Sequence, residues 1–329
     1  APSGPEPKRF LGCPPHQNIS FGRNVFSSAF HDNFGTIMQE ARIQIADITL
    51  GISSADSNLD IQLDGDMKLF SMPEADPDLS VKACWRNLEK GKTGRKIFDS
   101  GGAWRLYLSD NAYWFHCTAP AFGDVPYKIA RFTRDFSCGE IFLHRPFFDT
   151  RQGIYPLQYP LDELAILNLL AQGRGVEVHA CGIVDATGEG YLFVGPSGAG
   201  KTTLARLWEQ QHGVSILSDD RIILRRDGKE IWMFGTPWHG EAELSAASKA
   251  RLKAVYFIRH GRKNSLKSKG GTDAATRLFS CSFPLFYSPE GLGFTLEFYG
   301  GIACSVPCSE LNVVPNRKVI DFIREKNVN

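Results

Sequence analysis

Along residues 20–150 apolar and polar positions alternate in short runs. Ile43-Gln-Ile45 and Leu59-Asp-Ile-Gln-Leu63 place apolar side chains on every second residue, the period of a half-buried strand. Trp104-Arg-Leu-Tyr-Leu108 and Tyr113-Trp-Phe-His-Cys117 flank the turn Ser109-Asp-Asn-Ala112, which predicts a hairpin. Glu140-Ile-Phe-Leu-His144 is a further short strand. Aromatic residues are dense here, as a packed β core requires, because half-buried strands favour aromatic and β-branched side chains. His116 and His144 lie inside these strands and read as structural histidines. Nothing in this half has a catalytic spacing.

The pattern changes after residue 150. Gly153-Ile-Tyr-Pro-Leu-Gln-Tyr-Pro160 is rich in turn formers and marks a domain boundary near residue 155. Leu161 to Ala171 predicts a helix buried on most faces and ending at Gly173. Val176-Glu-Val-His-Ala180 is a strand, continued by Cys181 to Asp185, and Gly188-Glu-Gly190 turns the chain into the apolar strand Gly190 to Val194. Further on, Val214-Ser-Ile-Leu217 and Val255-Tyr-Phe-Ile258 predict strands, Ser245 to Ala250 and Asp273 to Leu278 helices, and Lys267 to Gly271 a mobile loop. Phe294 to Phe298 and Ile302 to Cys304 read as strands, and Val319 to Lys326 as a terminal helix.

Composition narrows the class. A chain of 329 residues is expected to form about two domains. Its apolar fraction of 43% and charged fraction of 22% are those of an ordinary globular protein. A net charge of +1 gives no case for a nucleic-acid partner or a membrane surface. No apolar run approaches the roughly 20 residues that span a bilayer. Residues 1–19 open with a Pro/Gly-rich tail, without an apolar signal core, and are expected to be disordered. The eight cysteines are scattered, mostly within apolar sequence, which reads as reduced thiols and a cytoplasmic location rather than a disulfide framework. Cys304 and Cys308 form the closest pair, but no second Cys/His pair lies nearby to complete a zinc site.

One stretch carries explicit chemistry. Gly195-Pro-Ser-Gly-Ala-Gly-Lys-Thr-Thr203 fits G-x-x-x-x-G-K-[ST] in full. In such a loop successive backbone N–H groups wrap the phosphates of a nucleotide, so Gly195, Pro196, Ser197, Gly198, Ala199, Gly200, Lys201, Thr202 and Thr203 are the expected ATP-binding residues. Lys201 reaches the β/γ oxygens, and the Thr202 hydroxyl holds Mg²⁺. The loop stands between an apolar strand and a helix beginning at Leu204, whose N-terminal dipole favours phosphate. The strand after this helix ends in Ser218-Asp-Asp220, where a carboxylate can stand beside the metal or beside an attacking hydroxyl. Two antiparallel strands ahead of the loop differ from the usual order, in which the loop follows the first strand of a parallel unit.

His179, the loop Gly195 to Thr202 and Asp219-Asp220 together resemble the HPr kinase/phosphorylase family, whose core is shared with ATP-dependent phosphoenolpyruvate carboxykinases. The resemblance covers roughly residues 175 to 260. It implies a P-loop domain of α+β or α/β class with a mixed sheet over residues 156–329, preceded by a β-rich domain over 20–155. It also implies that His179 is the active-site histidine, Lys201 the phosphate-loop lysine and Asp220 the proton acceptor from a substrate serine. Thr202 takes the place of the Mg²⁺-binding serine, and Asp219 helps to hold the metal.

A family glutamate that completes the Mg²⁺ shell corresponds to Glu241 in Gly235-Thr-Pro-Trp-His-Gly-Glu241, with Glu243 as the alternative. His239 in the same turn either contacts phosphate or bonds to backbone. The Glu-x-Arg-Gly signature that follows in HPr kinases is absent. Cations cluster from Lys249 to Lys269; each taken singly reads as part of a solvated face, while Arg259 or Arg262 could steady a transferring phosphoryl group.

The expected activity is ATP- and Mg²⁺-dependent transfer to a serine on a protein or peptide. Relatives of this core also include tailoring kinases of ribosomal peptides and a kinase of free serine. A free-serine or other small-molecule kinase and a nucleotide-binding regulatory module without transfer are the alternatives. The first half is expected to recognise the substrate or to join copies of the chain as a homo-oligomer.

Overall fold

The computed structural model describes residues 40–91, 93–148 and 153–327. The tail expected over residues 1–19, with Cys13, lies outside the described residues, as do residues 20–39.

The alternating runs of the first half pair into one mixed sheet of eight strands. They are β1 (Glu40–Ile45), β2 (Ile48–Ser54), β3 (Leu79–Trp85), β4 (Arg95–Asp99), β5 (Trp104–Ser109), β6 (Ala112–Cys117), β7 (Lys128–Thr133) and β8 (Cys138–Leu143). Their order across the sheet is β1-β2-β3-β8-β7-β6-β5-β4. The β2–β3 and β3–β8 pairs are parallel and the rest antiparallel. The hairpin turn between β5 and β6 is Asp110-Asn111, both at positive φ (49° and 55°). Mirror-image turns of this kind match the twist of the flanking strands, and Asn and Asp tolerate the conformation.

Leu59 to Leu63 does not form a strand. Its alternation reports burial of Leu59, Ile61 and Leu63, but among the described residues its only ladder contact is a bridge from Ile61 to Ile154. The helix α1 (Leu161–Leu169) is buried on every face and packs into the core beneath the first sheet, which therefore continues past residue 155. A wider turn over 170–174 follows, and Gly173 at φ 90° ends it.

The second sheet contains β9 (Val176–Val184), β10 (Glu189–Val194), β11 (Ser215–Ser218), β12 (Arg221–Asp227), β13 (Glu230–Phe234), β14 (Lys249–His260), β15 (Ser265–Lys269) and β16 (Cys308–Val313). β9 and β14 are long enough to take part in two layers. Their C-terminal halves flank β10, and their N-terminal ends pair with β12 and β13, so five strands close a ring. Side chains alternate along β10. Leu192 and Val194 face a core shared with α3 (Gly271–Ser280) and α4 (Pro289–Ser305), while Tyr191 and Phe193 face α2 (Lys201–Glu209) and α5 (Lys318–Asn327). The chain is thus mixed α/β with two large mixed sheets. No helix among the described residues is long and apolar enough to cross a membrane.

Four expectations for this half fail. Ser245 to Ala250 is not helical: Lys249 already begins β14, and pairing with β13 overrides the helix propensity of its alanines. Lys267 to Gly271 is not a loop, because Ser265–Lys269 pairs antiparallel with β16. Phe294 to Phe298 and Ile302 to Cys304 lie in α4. There Phe298 and Ile302 are one helical turn apart and face the core, the Ser288 hydroxyl accepts from Gly291 N–H at 3.1 Å, and Pro289 occupies the first turn.

Candidate functional site

β10 delivers the chain into the phosphate loop, and α2 begins at Lys201. Gly198 and Gly200 adopt φ of 78° and 102°, a region open to glycine at no steric cost. A Cβ at Gly198 would meet nothing within 4 Å, whereas one at Gly195 would press on Ala199 and Ile258. Gly200 caps α2 without a side-chain cap, which directs first-turn N–H groups toward the loop's concavity. α2 is anchored behind by Leu204, Ala205 and Trp208, which pack against Tyr191 and Phe193. Pro196, Ser197 and Thr203 are exposed, Ala199 and Thr202 half-buried, and Gly195 buried. The Ala199 N–H closes a turn onto Pro196 O at 3.1 Å.

Lys201 is buried, and its ammonium donates to Gly195 O at 2.9 Å and Pro196 O at 3.2 Å. Burial lowers its pKa to about 8, against the upward pull of neighbouring thiols and Asp219. An anion in the loop would restore the full charge. The glycine-rich loop, buried cation and uncapped helix start together fit a phosphate group.

His179 and Asp220 meet through strand register. His179 pairs with Arg221 across the β9–β12 ladder, and Ala180 N–H donates to Asp220 O at 3.0 Å. The side chains then lie together, with His179 Nε2 2.9 Å from Asp220 Oδ1. Burial, reinforced by the charges of Lys201 and Arg221, pushes the imidazole pKa down to about 3. The pair is therefore a neutral imidazole donating to a carboxylate, and Lys201 is close enough to act on it electrostatically.

The next residue, Arg221, is a site component the motif reading missed. It is buried and contacts Asp220 and, on α1, Glu163, with Glu177 3.6 Å away. Burial opposes its charge, but Glu163 and Glu177 outweigh that and hold the pKa above its ordinary value. Burial and the neighbouring Glu163 raise the Glu177 carboxyl well above the carboxylate range, against the pull of Arg221. Asp220 is thus gripped by both His179 and Arg221, and through Arg221 it is tied to α1. Ser218 shapes the bend: its hydroxyl oxygen accepts from the Asp220 and Arg221 N–H groups, both at 3.2 Å.

Asp219 has a different role from its neighbour. It is buried, Oδ1 accepting from Gly240 N–H at 2.8 Å and Oδ2 from Ala242 N–H at 2.9 Å. These bonds latch the 235–243 loop and leave each oxygen further lone-pair capacity. The oxygens of Thr202 and Asp219 are the hard donors Mg²⁺ requires. Glu241 lies between the two latched residues, but its side chain is exposed, and its carbonyl accepts from Arg206 at 3.2 Å. Glu243 is exposed at φ 57°. Among the described residues no three His, Cys, Asp or Glu side chains cluster as a metal site. His239 lies 3.1 Å from Gly240 O through Nδ1 and 3.6 Å from Asp66 through Nε2, a turn histidine leaning on the first half.

His260 is the second residue missed. It ends β14, which runs parallel to β10, so its Nε2 comes 3.0 Å from Gly198 O in the loop. Cations along β14 and β15 are mostly committed elsewhere: Lys249 to Asp47, Lys253 to Glu189, Lys269 to Asp273, and Arg259 to Glu310 at 3.6 Å.

Residues 191–256 match the family model of an AAA domain. That segment contains the phosphate loop and Asp219-Asp220 and supports a nucleotide-binding P-loop of kinase-like type. No curated protein matches the chain. Among solved structures, the chain is similar to the Hpr(Ser) kinase/phosphatase from Coxiella burnetii at 11% identity, over 46% of this chain and 99% of that one, with a TM-score of 0.27.

Proposed function

We propose that the chain is an ATP- and Mg²⁺-dependent kinase that transfers the γ-phosphoryl group to a serine hydroxyl of a protein or peptide. The observation that carries this is the His179–Asp220 pair at 2.9 Å, set within the electrostatic reach of the phosphate-loop lysine. Nucleotide binding alone needs only the loop. A carboxylate aimed by a neutral imidazole serves an incoming hydroxyl.

Lys201 and the loop N–H groups would hold the phosphates, and Thr202 and Asp219 would hold Mg²⁺, which would supply charge neutralisation to the transferring phosphoryl group. Asp220 accepts the hydroxyl hydrogen bond and orients its oxygen. His179 and Arg221 both contact Asp220 and fix its carboxylate, and the proton leaves late in a loose transition state. The free thiols of the described cysteines are consistent with a cytoplasmic setting.

A second reading is a nucleotide-binding module without transfer, favoured by the exposed Glu241 side chain and the grip of Arg221 on Asp220. Incubation with γ-labelled ATP, Mg²⁺ and a panel of serine-containing peptides, proteins and free serine separates the two. Label on a peptide or protein serine supports the kinase. Label on free serine alone makes it a small-molecule kinase. Nucleotide binding with no labelled acceptor favours the module.

A further inference from the structure

A second feature lies away from the phosphate loop, on the open edge of the first sheet. A cleft of about 430 Å³ is walled by Arg95, Lys96, Tyr113, Arg134 and Tyr287, with Glu290 its one acid. Lys96 is paired with Asp99 at 2.8 Å. Among the described residues neither Arg95 nor Arg134 has a carboxylate partner, although both are exposed. The Arg134 guanidinium is held over the Tyr113 ring, 4.5 Å from its centroid. Arg95 and the ring-held Arg134 outnumber Glu290 in this concave wall, an excess of positive charge that suits anionic groups.

One segment joins this cleft to the candidate active site. Cys281 O accepts the His179 N–H at 2.6 Å, and the Phe283 ring lies 4.7 Å from the Arg221 guanidinium. Phe286 follows with 65% of its surface exposed. Tyr287 then enters the cleft wall, its hydroxyl fixed by Asn168 on α1 at 2.9 Å. Six residues from Cys281 to Tyr287 span at most about 20 Å. A substrate polypeptide extended alongside this segment would advance roughly 3.3–3.6 Å per residue, so about six of its residues match the segment's length.

We propose that this cleft binds an acidic segment of the substrate polypeptide, set apart from the acceptor serine, and that residues 281–287 are the track between them. The proposal rests on the reading of the chain as a protein or peptide kinase.

The test uses labelled peptides with four glutamates placed six residues to either side of a single serine, and matched peptides with four glutamines. Binding is followed by fluorescence anisotropy without nucleotide, and initial rates are followed with ATP. One glutamate peptide is expected to bind about tenfold more tightly than its glutamine match, as two exposed charge pairs can supply. The Arg95→Ala/Arg134→Ala double variant should lose that difference and raise KM with kcat and ATP affinity unchanged. An Arg134→Glu variant, checked for a native melting curve, should instead prefer a peptide with four lysines. Equal binding of glutamate and glutamine peptides, or a preference that survives the double variant, overturns the proposal. Arginine-dependent binding of inorganic phosphate without peptide discrimination overturns it as well. Selective peptide binding without phosphoryl transfer supports the cleft and counts against the kinase reading.

Discussion

Asp219 and Gly240 are locked together: the carboxylate accepts the Gly240 N–H at 2.8 Å, and a Cβ at Gly240 would lie 2.8 Å from the other carboxylate oxygen. The loop that follows β13 can close over the acid only because glycine occupies this position. That closure leaves Asp219 buried at the end of the strand that follows the phosphate loop and its helix.

Gly240→Ala should therefore displace Asp219 or the loop and destabilise the protein by about 1–3 kcal/mol, the usual penalty for overpacking. It should also raise the Mg²⁺ concentration needed for half-maximal activity. Chemical denaturation and a Mg²⁺ titration check both effects; unchanged stability and Mg²⁺ dependence would contradict the role assigned to Asp219.

Arg221 stands among Asp220, Glu163 and Glu177, and it is buried. Arg221→Met removes the one cation of this group and leaves buried carboxyl groups without it, a change that costs about 3–5 kcal/mol in comparable buried pairs. Urea unfolding measures the loss. Glu163→Gln, which keeps the shape and one acceptor, should cost less. A loss for Arg221→Met below about 1 kcal/mol would show that the cluster is not coupled to folding.

His179 makes stability depend on pH with a definite sign. Its folded pKa of about 3 lies below the ordinary value of about 6.5, so between these limits the unfolded chain binds more protons. Its contribution is present in full above about pH 6.5 and is lost as pH falls toward 3. Asp162, raised by burial to about 7, acts with the opposite sign in an overlapping window, so the comparison must be between wild type and variant. The stability of His179→Gln should fall less steeply than wild type between pH 6.5 and the acid limit. Parallel curves would contradict a buried, neutral imidazole.

The phosphate loop, β9, β10 and the start of α2 were legible because their signal is local: a fixed spacing of Gly, Lys and Thr, and short apolar strands beside it. In α4, Phe294-Thr-Leu-Glu-Phe298 alternates like a strand, whereas the helical signals are the start at Ser288-Pro-Glu290 and the four-residue spacing of Phe298 and Ile302. β15 is not legible in the sequence, because an edge strand of Ser and Lys carries no apolar period. Arg221, Glu163 and His260 join the site from neighbouring or distant positions only through the β9–β12 ladder, the packing of α1 and the β10–β14 pairing. None of these relationships is written in a window of sequence.

The most direct test of the central claim is single-turnover phosphoryl transfer by Asp220→Asn, with ATP affinity measured on the same preparation. The variant should bind ATP as wild type does and transfer about 10²–10⁴ times more slowly to a peptide serine, the range for loss of a positioned proton acceptor. Transfer at the wild-type rate, with ATP affinity intact, would show that the carboxylate beside His179 does not serve the acceptor hydroxyl.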